Sequence, residues 1–86
     1  MVSKEYEYSH VRRVRRVDLN TYEVVVSSNV GRAEVLICTV SHANGSVAIT
    51  DISPTDDPQA VFDGRVDTRR VVADLVAYIE AEKSAG

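Results

Sequence analysis

The sequence has few of the residues that usually anchor a small protein: it contains no tryptophan, one phenylalanine, one cysteine and two prolines. Its core must therefore be built from aliphatic side chains, above all valine. The single Cys38 excludes an intrachain disulfide, and its position in the apolar run Val35-Leu36-Ile37-Cys38 predicts a buried thiol. Because one unpaired cysteine suits a reducing compartment, we expect the protein to be cytoplasmic.

Long apolar runs and glycine-rich loops are also missing. The longest strictly apolar run has four residues, whereas a membrane span needs roughly 20. The stretch from Met1 to Tyr6 lacks the apolar core of a signal peptide. The four glycines are isolated, so there is no glycine-rich loop that would hold a phosphate. We therefore expect no membrane association and no nucleotide-binding loop.

The remaining composition is typical of one soluble domain. The 86 residues are 44% hydrophobic and 27% charged, which is ordinary for a globular chain of a length that does not divide further. We expect a single α+β domain over residues 1–86. The net charge is −3, but residues 1–20 have an excess of two positive charges and residues 51–86 an excess of four negative charges. Such a dipolar layout can attract a partner protein or a second copy.

The C-terminal part predicts an α-helix from Thr68 to Lys83. Asp67 or Thr68 can cap its first turn by accepting a hydrogen bond from a free backbone amide. The apolar residues recur with helical period. They are Val71, Val72, Leu75, Val76 and Ile79.

The middle of the chain predicts antiparallel strands. β-Branched and aromatic residues favour strands at residues 22–26, 34–40 and 46–50. Asn44-Gly45 is typical of a type I′ hairpin turn, because both residues tolerate positive φ. These strands would form a meander.

Between the last of these strands and the helix, the sequence predicts one further helical turn. Asp57 precedes a proline at the first helical position, and Gly64 provides a stop. We expect Val61 and Phe62 to seal the edge of the core at this turn.

Residues 4–17 allow two interpretations. Some residues alternate as in a strand, namely Tyr6, Tyr8 and His10, whereas Tyr8, Val11, Val14 and Val17 recur every third residue, as on a helix. The stretch contains valine and tyrosine but no alanine or leucine, which favours a strand. The fold class is then an α+β antiparallel β-meander of three to four strands with a C-terminal α-helix packed on one face.

A helix at residues 4–17 would instead give the order α-β-β-β-α. That order resembles the element order of double-stranded-RNA-binding domains. Such domains carry a lysine-rich start to their last helix, where this chain has Asp67-Thr68-Arg69-Arg70. The resemblance is one of element order alone.

No spacing in the sequence indicates catalysis or metal binding. His10 and His42 are the only histidines, and they do not form a metal-ligand pattern with Cys38 or Asp51. Cys38 and His42 would share a strand face about 13 Å apart, too far for a nucleophile and its base. We therefore expect no enzymatic activity, no cofactor and no bound metal.

Four arginines crowd into five residues: Arg12, Arg13, Arg15 and Arg16. Because guanidinium groups bind phosphate oxygens, the cluster supports an alternative function as a nucleic-acid-binding accessory or regulatory protein. On a regular strand, however, Arg12 and Arg16 would face away from Arg13 and Arg15. Charge on an edge strand also prevents edge-to-edge pairing, and a net charge of −3 is unlike that of a nucleic-acid binder.

The strand at residues 34–40 is apolar on both faces, since Val35 and Ile37 alternate with its other apolar residues. On the preceding strand, Val25 likewise faces away from its apolar neighbours. One helix covers only one face of a small sheet. Each of these side chains would lose roughly 1.5–3 kcal/mol of burial free energy if it stayed in water. Exposed apolar patches of this kind mark interfaces. We predict a small non-catalytic interaction module, homodimeric or partner-binding through Val25, Val35 and Ile37. The alternative is that residues 61–62 or a helical N-terminus covers this face.

Overall fold

The computed structural model describes residues 6–85, which form a four-stranded antiparallel sheet and two helices. The strands follow one another in space as they do in the chain, in the order β1-β2-β3-β4. The fold is therefore the predicted α+β meander with a C-terminal helix. The elements are β1 (His10–Asp18), β2 (Thr21–Ser27), β3 (Ala33–Ala43), β4 (Ser46–Pro54), α1 (Gln59–Phe62) and α2 (Thr68–Ala85).

The N-terminal region is a strand, so the alternative order α-β-β-β-α is wrong. β1 begins at His10, later than predicted, because Tyr8 pairs elsewhere and forms a single parallel bridge with Val66. Residues 1–5 and 86 lie outside the described residues. They include the first two residues of the predicted strand and nearly all of the stretch that lacks a signal-peptide core.

A β-bulge explains the helical spacing seen in this region. Val11 and Val14 both pack against the core although they are three residues apart. Val11 lies opposite Val26 and Arg13 lies opposite Val25, which leaves Arg12 as an extra residue in β1. An extra residue of this kind restarts the alternation of side chains along a strand. The three-residue spacing is therefore a product of the bulge.

The core lies between the sheet and α2. The helix begins where expected, since Asp67 Oδ1 accepts a hydrogen bond from the Arg70 amide at 3.3 Å. Its buried side chains are spaced four residues apart and are Val71, Leu75 and Ile79. On the sheet they meet a layer of buried residues that includes Tyr22, Val24, Val26, Leu36, Cys38 and Val40.

The structure confirms the predicted Asn44-Gly45 turn but not the predicted packing of α1. Asn44 has a φ of 53° and Gly45 a φ of 79°, as a type I′ turn requires. In α1, Ala60 is buried and Val61 packs against the core, but Phe62 is 86% exposed. The prediction that Phe62 seals the core is wrong, because α1 is a four-residue turn and presents only part of its circumference to the sheet.

Candidate functional site

Within residues 6–85, one face of the sheet is left without a helix, and we call it the open face. The buried residues of α1 and α2 belong to the same core cluster as Val24 and Leu36, so both helices pack on one side. Val25, Val35 and Ile37 alternate with those core residues and are not part of the cluster. Neither α1 nor the N-terminal strand covers the open face.

The centre of the open face is apolar. Val25 lies directly opposite Val35, and Ile37 lies one pair further along, between Glu23 and Ser53. We call Val25, Val35 and Ile37 the apolar stripe. All three are half-buried, because side chains of the flanking strands cover part of each. Their exposed area is therefore smaller than the sequence alone predicts.

The β1 side of the open face is basic. Arg13 lies opposite Val25 and Arg15 lies opposite Glu23, so both arginines belong to this face. Arg15 Nη2 lies 3.2 Å from Glu23 Oε2. This pair turns the Glu23 carboxylate towards β1 and away from the apolar stripe.

The other two arginines differ from the predicted arrangement. Arg12 occupies the bulge and its Nε donates to Ser27 Oγ at 2.7 Å. Since Ser27 alternates with the buried Val26, this contact brings Arg12 to the side of the open face rather than away from it. Arg16 lies opposite Tyr22, on the α2 side, and donates to the carbonyl oxygens of residues 18 and 19.

The β4 side of the open face is acidic and polar. Asp51 lies opposite Thr39 and Ser53 lies opposite Ile37. Ser53 Oγ donates a hydrogen bond to Asp51 Oδ2. The open face therefore has a basic border on β1, an apolar stripe on β2 and β3, and an acidic border on β4.

The candidate catalytic and metal residues are not brought together. His10 lies on β1, where its Nε2 is 2.8 Å from Asn29 Oδ1, and His42 lies near the end of β3, opposite Val47. Cys38 is fully buried, as predicted, and burial raises the pKa of its thiol to about 11. A thiol with this pKa is almost entirely protonated at neutral pH, so it is a poor nucleophile.

A cleft of about 390 Å³ lies between the end of α2 and the turn from β1 to β2, and sequence reasoning missed it. Within it, the Tyr22 hydroxyl donates to Glu82 Oε1 at 3.0 Å, and the Tyr22 ring meets Tyr78 edge to face. Burial, followed by the Glu82 hydrogen bond, raises the pKa of Tyr22. These contacts fasten the helix end to the sheet.

Sequence reasoning also missed the role of Glu34. Only 1% of it is exposed, yet its carboxylate is satisfied by backbone amides: Oε1 accepts from Val35 at 2.9 Å and Asp56 at 3.1 Å, and Oε2 accepts from Asp57 at 2.8 Å. The alternation with Leu36 places it on the core side. Glu34 thus holds the loop after β4 against the sheet.

A charged cluster fixes the same loop from outside. Arg65 Nη1 lies 3.3 Å from Glu7 Oε1, and Arg65 Nη2 bonds to Asp57 Oδ2. The hydrogen bond from Arg65 lowers the pKa of Asp57. Each charge has a partner within the cluster, which ties the segment before β1 to the loop before α2.

Within residues 6–85, no three His, Cys, Asp or Glu side chains are grouped so that they would hold a metal ion. Neither helix of this part of the chain has the length and apolar character required to cross a membrane. Comparison of the chain with protein-family models, curated proteins and solved structures found no match.

Proposed function

We propose that the protein is a small non-catalytic interaction module that binds a second protein surface through its open face. The supporting observation is the apolar stripe, which lies on the side of the sheet that neither helix covers. The bound surface belongs either to another copy of the chain or to a different protein.

The energetics favour an interface of modest strength. Each stripe residue is already half-buried, so complete burial gains on the order of 1 kcal/mol per side chain. The charged borders add orientation more than affinity, because exposed ion pairs contribute little. This combination supports reversible binding rather than an obligate complex.

The arrangement of the arginines favours a protein over a nucleic acid as the partner. Arg12 and Arg15 already contact Ser27 and Glu23, and Arg16 donates to backbone carbonyls. Among the four arginine side chains, that of Arg13 alone has no ion pair or hydrogen bond to another described residue. A phosphate backbone needs several free cations along one surface, and here the centre of the surface is apolar.

Site-specific photo-crosslinking in the cells of origin tests the proposal. The photoreactive residue benzoylphenylalanine replaces Ser53, an exposed residue beside Ile37, and in a matched control it replaces Ala73, an exposed residue of α2. We expect a protein adduct from position 53 and none from position 73. Absence of any adduct from position 53 would contradict the proposal, and adducts degraded by nuclease would support the nucleic-acid alternative instead.

A further inference from the structure

We infer that the occupant of the open face is a second copy of this chain, bound about a two-fold axis parallel to the strands. In this arrangement β1 of each copy lies over β4 of the other. The inference rests on the proposed function of the open face and adds the identity and orientation of the partner. Three observations carry it: the irregularity of the two sheet edges, the area of the face and the placement of its charges.

Both edges of the sheet are poorly suited to pairing with another strand. β1 has register shifts between Val11 and Arg13 and again between Arg16 and Asp18, and it carries the arginine cluster. β4 has a shift opposite Thr39 and Val40 and ends at a proline. Bulges, charges and proline all interrupt edge pairing, so association through the face is favoured over extension of the sheet.

The open face has the area of a small specific interface. Four strands spaced about 4.8 Å apart are roughly 19 Å wide, and nine residues per strand extend roughly 30 Å. A face of about 570 Å² on each copy gives about 1,100 Å² in total, at the lower end of specific interfaces. We therefore expect a dimer with a dissociation constant on the order of 10–100 μM.

The charges select one of two orientations. Sheets that pack face to face align their strands to within about 30°, and two-fold symmetry then allows two choices. An axis across the strands places β1 over β1, with Arg13 and Arg15 facing their own copies. An axis along the strands places β1 over β4, so that the basic border of one copy faces the acidic border of the other.

The chosen orientation also covers the apolar stripe. With β1 over β4, β2 lies over β3, and Val25 of each copy lies over Val35 of the other. Arg15 pairs with Glu23, which pairs with Ile37, which pairs with Ser53. Arg15 and Ser53 therefore lie at the same height along the strands, and Ser53 is two residues from Asp51. This offset is about 7 Å along the strand, within the reach of an arginine side chain. Glu23 engages only Nη2 of Arg15, so the other guanidinium nitrogens are available to one carboxylate of the second copy.

Sedimentation equilibrium of the purified full chain tests the orientation. Arg15→Glu and Asp51→Arg each place like charges at both border contacts of a homodimer. Arg69→Glu and Glu80→Arg, on the exposed side of α2, are the matched controls for net charge, and circular dichroism checks the fold of each variant. We expect each open-face variant to weaken its homodimer about tenfold and each control to weaken it less than about twofold. An equimolar mixture of Arg15→Glu and Asp51→Arg chains restores an affinity within about threefold of the original, because both contacts then pair opposite charges.

The other results separate the inference from the proposed function. If both variants dimerise as tightly as the original chain, the orientation is wrong, although the open face can still be the interface. A chain that remains monomeric at 1 mM overturns the inference that the occupant is a second copy. Crosslinking of a different protein from position 53 would then support the proposed function on its own. Self-association that survives Ile37→Lys overturns the inference, because the contact between the copies then lies outside the apolar stripe.

Discussion

Val25 on β2 lies directly opposite Val35 on β3, on the side of the sheet that carries neither helix. Their neighbours Val24 and Leu36 also lie opposite each other and are fully buried beneath α2. The same two strands are thus apolar on both sides, while the described chain supplies helices for only one. This asymmetry is the basis of the proposed binding function.

Substitution on the two sides of β3 should separate binding from folding. We expect Ile37→Lys to lower the free energy of unfolding by less than about 1 kcal/mol, since the residue is half-buried and can extend a polar end into water. Its neighbour Leu36 is fully buried, so Leu36→Ala should cost about 2–5 kcal/mol. Urea denaturation at about 2 μM, below the expected dissociation constant, measures both. A similar loss for the two variants would show that Ile37 is part of the core.

The buried Glu34 should be required for stability. In Glu34→Gln, one carboxylate oxygen becomes an NH₂ group that opposes the amide donors of Asp56 or Asp57. We expect a loss of about 1–3 kcal/mol in the free energy of unfolding, measured by urea denaturation. Glu80→Gln on the exposed side of α2 is the control and should change it by less than about 0.5 kcal/mol. Equal stability of both variants would mean that the Glu34 bonds are not needed.

The meander was predictable because its signals are local. The positive φ angles of Asn44 and Gly45 follow from residue chemistry at one turn. The buried residues of α2 recur with helical period along the sequence. The N-terminal region was ambiguous because a bulge at Arg12 produces three-residue spacing on a strand. A bulge is set by pairing with a distant strand, here through Val26, which a local pattern does not contain.

Cys38 should be almost unreactive in the folded protein. Burial raises the pKa of its thiol to about 11, whereas an exposed cysteine has a pKa of about 8.5. At pH 8 the thiolate fraction therefore falls at least about 100-fold on folding, and lack of access slows reaction further. Alkylation by iodoacetamide, followed by mass spectrometry with and without urea, measures the ratio. Comparable rates in the two conditions would contradict the buried position.

The Arg65–Asp57 pair should make stability depend on pH in acid. Arg65 lowers the pKa of Asp57 below its ordinary 3.8, so the unfolded chain binds a proton at this group more readily than the folded one. The stabilisation is present above about pH 4 and is lost as the pH falls through the lowered pKa. Asp57→Asn should flatten this part of the curve, whereas Asp56→Asn, which changes a nearby exposed carboxylate, should not.

Urea midpoints between pH 2.5 and 7 measure this dependence. If Asp57→Asn and the original chain lose stability in parallel below pH 4, the acid dependence does not arise from the Arg65–Asp57 pair.

The candidate site was only partly predictable. The alternation around Val35 and Ile37 was enough to place both on the second face. Their half-burial depends on neighbouring strands, and the position of Arg12 beside Ser27 depends on the bulge. The role of Glu34 was recognisable in part, because alternation with Leu36 puts it on the core side, but its amide partners come from a loop more than 20 residues later.

Sedimentation equilibrium of the full chain and of Ile37→Lys, from 10 μM to 1 mM, tests the central claim most directly. We expect the average mass of the original chain to rise from 9.5 kDa towards twice that value. We expect the mass of the Ile37→Lys variant to remain at that of one chain. A mass that does not change with concentration in the original chain, or that rises equally in both proteins, would contradict the account.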